Sequence, residues 1–188
     1  MDDVTARELV VTAADRLFYG RGIQAVGMDA IRSEAGIPLK RMYSLFPSKE
    51  ALLAEVLRRR NQMWTAGVLH RAEEAASPRD KVLSIYDFLG DWFAEDDFRG
   101  CAFINSFGEL GATAPLVADA ARAHKLGFQR YLAEVVTEAG GPASLAPQLA
   151  LLAEGAQTTA AILGRVDVAA DARAAAATLF DAALVHTA

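Results

Sequence analysis

The residues whose types and spacing could do chemistry lie between Met28 and Lys49, in the segment MDAIRSEAGIPLKRMYSLFPSK. Two short helical stretches, about 28–35 and about 38–45, flank a turn that contains Gly36. Glycine supplies the left-handed backbone that a sharp turn between helices requires. At helical spacing Ile31, Ile37, Met42 and Phe46 can face inward, which leaves Leu39, Lys40, Arg41, Tyr43 and Ser44 on the outer face of the second helix. That outer set suits a duplex: arginine matches guanine O6 and N7, while lysine, tyrosine and serine reach phosphates or base edges. On these residues alone the pair reads either as a DNA reader with its second helix in the major groove, or as a packing motif of an all-helical protein.

Other reactive residue types do not assemble. His70, His124 and His186 are far apart and lack metal-ligand spacing, so surface or helix-end positions are expected for all three. The one cysteine, Cys101, excludes an intrachain disulfide and any metal site built on paired cysteines. Between a redox sensor and a buried thiol, its place beside an apolar run favours the buried thiol. Carboxylates alternate with basic or small residues along helix faces, and no glycine-rich phosphate loop or nucleophile motif is present. The expectation is therefore no catalytic residue, no metal and no cofactor.

The elements that must position the Met28–Lys49 segment are helices. The apolar fraction of 53% and charged fraction of 23% over 188 residues are those of a folded globular chain. Alanine is abundant and β-branched residues are modest, which favours helix over strand. No apolar run reaches the roughly 18 residues that cross a bilayer. The first residues, Met1-Asp2-Asp3, are acidic where an export signal would be basic, so a soluble cytoplasmic protein is expected. Net charge is −5, but residues 1–60 carry 10 Lys/Arg against 8 Asp/Glu. A mildly basic head on an acidic body fits a protein that touches phosphates with one end only.

Helical periodicity predicts a first helix over about 5–19, ended by Gly20-Arg21-Gly22, then the two short helices, then a long one from Ser48 toward His70. Ser77-Pro78 opens the next, Gly100 and Gly111 bracket a short apolar segment, and Pro115 starts a long helix that stops near Gly140-Gly141-Pro142. Two more follow at about 144–163 and 168–186, separated at Gly164. The predicted fold is all-α with about nine helices.

Residues 5–57 closely resemble the N-terminal domain of the tetracycline-repressor (TetR) family of bacterial regulators. The resemblance is carried, in order, by Ala13-Ala14-Asp15-Arg16-Leu17-Phe18, Gly20-Arg21-Gly22, Ala35-Gly36-Ile37, Met42-Tyr43 and Phe46-Pro47-Ser48-Lys49-Glu50-Ala51-Leu52-Leu53. It implies a helix-turn-helix DNA-binding domain over 1–47 and a helical ligand-binding and dimerisation domain over 48–188. It also implies a homodimer on a palindromic operator, usually a repressor released by a small-molecule effector. Tyr43 falls where the family contacts a phosphate from its recognition helix, and Lys49 where it does so from the start of the fourth helix. Leu39, Lys40 and Arg41 fall on base-reading positions, and Gly27, Met28, Arg32 and Ser44 complete the candidate DNA-contacting set. Three positions depart from the family pattern: Leu45 replaces a common histidine, Arg32 a small alanine, and Gly27 a Ser/Thr cap.

The resemblance further implies that the last two helices pair with those of a second subunit. Apolar stripes support this independently: Leu149, Leu152, Ala156 and Leu163 on one helix, Ala172, Ala176, Leu179 and Ala183 on the next. The alternative at this level is that both stripes face their own core. Aromatic residues cluster between Trp64 and Tyr131, and an apolar or aromatic effector is expected among Trp64, Phe88, Trp92, Phe103, Phe107 and Phe128, with Asn105, Glu109, Gln157 and Thr158 as polar groups. Simple core packing is the competing reading for each of these aromatics.

Overall fold

The structure, a computed structural model, describes residues 1–185. His186, expected at the end of the last helix, lies outside the described residues. Among the described residues there are nine helices and no strand: α1 (Asp3–Arg21), α2 (Met28–Ala35), α3 (Leu39–Leu45), α4 (Lys49–Ala72), α5 (Pro78–Phe93), α6 (Ala102–Leu110), α7 (Pro115–Glu138), α8 (Leu145–Leu163) and α9 (Val168–Val185). The predicted stops and starts act through side-chain and backbone chemistry. Asp2 caps α1 by accepting the Thr5 N–H at 2.8 Å, Ser48 accepts the Ala51 N–H at 3.1 Å, and Ser77 accepts the Asp80 N–H at 3.2 Å. Gly27 opens α2 in extended backbone without a side-chain cap, as its missing side chain dictates.

The chain forms two compact units: residues 1–62 with 102–122, and residues 63–101 with those from 123 onward. In the first, α1 is the central support. Its residues Ala6, Val10, Ala14 and Leu17 are buried together with Ile31 of α2, Met42 of α3 and Leu52 and Val56 of α4. Two arginines of α4 reach α1 from the other side. Arg59 donates to Thr12 Oγ1 at 2.8 Å, and Arg60 pairs with Asp15 at 2.5 Å with its guanidinium 4.1 Å from the Tyr19 ring centre. Arg7 spans from α1 to the end of α3, donating to the Leu45 carbonyl at 2.8 Å and lying over Phe46.

The second unit buries one continuous core from α5, α7, α8 and α9, in which Ile85, Leu89, Leu132, Leu149 and Phe180 are almost fully enclosed. Tyr86 sits inside it and donates its hydroxyl to the Leu149 carbonyl at 2.8 Å. Small residues set the helix spacing. A Cβ on Gly67 of α4 would lie 2.5 Å from the Phe88 ring, so only glycine admits that contact. Ion pairs fasten the rim: Arg79–Asp181 at 2.6 Å and Arg173–Asp87 at 2.8 Å join α5 to α9, and Lys81–Glu138 at 2.8 Å joins α5 to α7.

Candidate nucleic-acid interface

The helix-turn-helix turns at Gly36, whose φ of +65° and ψ of +29° lie in the left-handed region, and the Gly36 N–H returns to the Ser33 carbonyl at 3.3 Å. The inner face follows the spacing in the sequence: Ile31, Ile37, Met42 and Phe46 are each at most 2% exposed. Because α3 has two turns and one of its faces is filled by Met42, the opposite face is left bare. Leu39 and Tyr43 are 43% and 46% exposed, with Lys40 and Ser44 exposed beside them.

Other candidate DNA-contacting residues are engaged within the protein. Arg41 pairs with Asp3 of α1 at 2.5 Å, and Arg32 folds back along α2 to Asp29 at 2.8 Å. Ser44 donates to the Arg41 carbonyl at 2.7 Å. Lys49 is half-buried: its ammonium donates to the Ile23 carbonyl at 2.5 Å and lies 5.7 Å from the Phe18 ring centre. Burial lowers the Lys49 pKa, and the Glu109 carboxylate opposes that shift. Gly27 is exposed and Met28 is half-buried at the start of α2.

Glu109, expected as a polar group of the effector pocket, anchors the turn that leads into this motif. Its two carboxylate oxygens accept the backbone N–H groups of Ile23 and Gln24, each at 3.0 Å, and the Gln24 side-chain amide donates back to the Glu109 carbonyl at 2.9 Å. Gly22, at φ +86°, leaves room for that carboxylate, since a Cβ there would lie 3.3 Å from both of its oxygens. The contact joins residues 86 apart in sequence, so no local signal reports it.

The candidate pocket residues divide between the units. Phe103, Asn105 and Phe107 belong to the first, where Phe103 is buried, Asn105 is exposed and Phe107 is 54% exposed. Trp64, Phe88, Trp92, Phe128 and Gln157 belong to the second. There Trp64 meets Phe128 edge-on at 4.8 Å, His124 at 5.0 Å and Phe88 at 6.4 Å, and Phe88 stacks on Trp92. Three buried polar atoms of this unit have no hydrogen-bond partner among the described residues: Trp64 Nε1, the Tyr131 hydroxyl and Gln157 Oε1. His124 is a correction to its expected surface place. It is 5% exposed, and burial, reinforced by neighbouring Lys125, pushes its pKa down to about 3. Cys101 is buried, with the Lys125 ammonium 3.4 Å from its sulfur. His70 is exposed and pairs with Glu73 on a helix end.

The stripes expected at a subunit interface lie mostly in the core of their own unit. Leu149, Ala156, Ala172 and Ala176 are buried in the core of their own unit, at most 8% exposed, and Leu152, Leu179 and Ala183 are half-buried against it. Leu163 is open at 56%, and it is joined on α8 by Leu151 at 71% and Ile162 at 77%. The apolar positions of α8 run nearly all round the helix, so its periodicity contained two faces and the core took the one richer in alanine.

Known proteins fit this geometry. The family described as "Bacterial regulatory proteins, tetR family" matches residues 10–56, which span most of α1, the helix-turn-helix and the start of α4. The HTH-type transcriptional regulator YjdC of Escherichia coli is 26% identical over 155 residues, covering 79% of this chain and 80% of YjdC. The HTH-type transcriptional activator FasR of Mycolicibacterium smegmatis is 31% identical over 112 residues, 60% of this chain and 50% of FasR. Among solved structures, a TetR-family transcriptional regulator from Streptomyces coelicolor superimposes with a TM-score of 0.88 at 24% identity, over 96% of each chain. A second, from Streptomyces avermitilis, has a TM-score of 0.83 at 30% identity and covers 95% of this chain and 97% of its own. Identity at that level over nearly the whole of both chains, together with the motif above, identifies the chain as a DNA-binding transcriptional regulator that belongs to the TetR family.

Proposed function

We propose that the protein is a homodimeric repressor that grips a palindromic double-stranded operator through α3 and is released from it by a small molecule. The DNA half of this reading rests on the two-sidedness of α3. One face is filled by Met42, and the other is bare at Leu39, Lys40, Tyr43 and Ser44. A short helix held from one side and open on the other is what a major-groove reader requires. In this reading Leu39, Lys40 and Arg41 meet base edges, while Tyr43, Ser44 and Lys49 meet phosphates. The start of α2 at Gly27 and Met28 offers free N–H groups to the backbone, and Arg32 reaches a phosphate from the same helix. Arg41 and Arg32 must then exchange Asp3 and Asp29 for DNA. Exposed ion pairs of this kind contribute only about 0–1 kcal/mol, so a phosphate competes readily.

Dimerisation is assigned to the open face of α8 around Leu151, Ile162 and Leu163, because exposed apolar side chains in one patch call for a cover. The effector is assigned to the second unit. The unpartnered Trp64 Nε1, Tyr131 hydroxyl and Gln157 Oε1 support it, since buried polar groups are rarely left unpaired. The DNA-binding part spans 1–47, and α4 carries the effector's influence because its residues belong to both units. No helix among the described residues is long and apolar enough to cross a membrane, and operator binding sets the protein to work in the cytoplasm.

The test is selection from a random duplex library at near-physiological salt, with the retained DNA sequenced. An enriched palindrome, lost in Arg41→Ala and weakened in Tyr43→Phe, supports the reading. Retention without sequence preference, unchanged in both variants, refutes it.

A further inference from the structure

The first unit contains a cleft of about 320 Å³ walled by α1, α4 and α6, the space of about ten waters at liquid density. Its floor is apolar, built from Phe18, Leu53, Val56 and Leu57, and Asp15, Tyr19, Arg60, Asn105, Ser106 and Glu109 bring polar groups to its wall. We propose that this cleft is a binding site for a small uncharged amphipathic molecule, an aromatic alcohol or carbonyl compound, separate from the aromatic cluster of the second unit.

Three observations carry the proposal. Ser106 lines the cleft, is 6% exposed, and makes no side-chain hydrogen bond among the described residues. That hydroxyl is available to exchange a hydrogen bond with a ligand oxygen. Second, Arg60 lines the cleft with only its Nε committed to Asp15, which leaves further N–H donors for a ligand oxygen. Third, each charged side chain there is already engaged within the protein. Asp15 is paired with Arg60 at 2.5 Å, and the Glu109 carboxylate and Lys49 ammonium bind the N–H and the carbonyl of the same residue, Ile23. A charged ligand would lose its hydration in the cleft without finding an unmatched partner, whereas a neutral one with a single oxygen meets the unused donors over an apolar floor. The same Glu109 side chain that lines the cleft holds the turn into α2, so the site lies against the support of the DNA-binding motif.

The experiment is calorimetric titration of the DNA-free full chain with three indole probes of similar size: tryptophol (neutral), tryptamine (cationic) and indole-3-acetate (anionic). Tryptophol is expected to bind at least about tenfold more tightly than either charged probe, the scale set by desolvating an unmatched charge. Ser106→Leu and Asn105→Phe, which place bulk in the cleft from α6, are each expected to weaken tryptophol at least about tenfold. Circular dichroism and a melting curve establish that each variant is folded, and Asn105→Phe, at an exposed position, decides if Ser106→Leu does not fold. The proposal is overturned if tryptophol gives no heat and no melting shift, if either charged probe binds as tightly, or if binding survives the cleft variants. None of these readouts uses DNA, so the operator reading stands or falls separately.

Discussion

Acid should weaken the fold of the second unit through His124. The ring is 5% exposed against Trp64, and burial holds its pKa near 3, where an unfolded histidine titrates at about 6.5. Because the folded pKa is the lower of the two, the unfolded chain binds the extra proton between those values. Stability is therefore full above about pH 6.5 and falls as the pH drops toward about 3. One pKa unit corresponds to about 1.4 kcal/mol, so moving from about pH 7.5 to about pH 5 removes about 2 kcal/mol from this group alone. Carboxylates contribute their own slope at the acid end, and the clean quantity is the difference between wild type and His124→Gln. Urea unfolding at the two pH values and one fixed protein concentration measures it. Wild type should lose about 2 kcal/mol more than the variant. Equal losses in both proteins would mean that His124 is not held neutral by its surroundings, and the argument from burial would fail.

Other expectations concern the motif and the open face. Gly36→Val forces a β-branched residue into the left-handed turn at φ +65° and should cost about 1–2 kcal/mol, read as a lower melting temperature together with weaker operator binding. Unchanged melting would sink the argument that this turn requires glycine. Lys40→Ala removes an exposed cation from α3 and should lower the salt-dependence slope of operator binding by about 1, without altering the melting curve. Ile162→Arg puts a charge at a position 77% exposed in the single chain and should convert dimers to monomers in sedimentation, with helicity intact; a variant that stays dimeric would remove the open face of α8 from the interface. Glu109→Ala leaves the Ile23 and Gln24 N–H groups without their carboxylate and should destabilise the first unit by about 2 kcal/mol, seen as a lower unfolding midpoint. An unchanged midpoint would show the clasp to be dispensable.

Short-range physics was legible in the sequence. Capping serines, Pro78 after its cap, and glycines at 22, 36 and 164 marked where helices begin and end, because each acts within four residues of itself. The inward set Ile31, Ile37, Met42 and Phe46 was legible for the same reason, since one helix period separates the two faces of a short helix. What only the tertiary structure decided was how distant elements share their surfaces. In α8 apolar residues occupy most of the circumference, and burial of Leu149 but not Leu151 follows from how α5 and α9 pack on it, which no periodicity contains. The same holds for His124, whose buried ring is met edge-on by Trp64 of α4, and for Glu109, whose hydrogen bond to Ile23 spans 86 residues. A sequence states which residues must leave water and which turns the backbone can make; which neighbour each one finds depends on the simultaneous packing of all the helices.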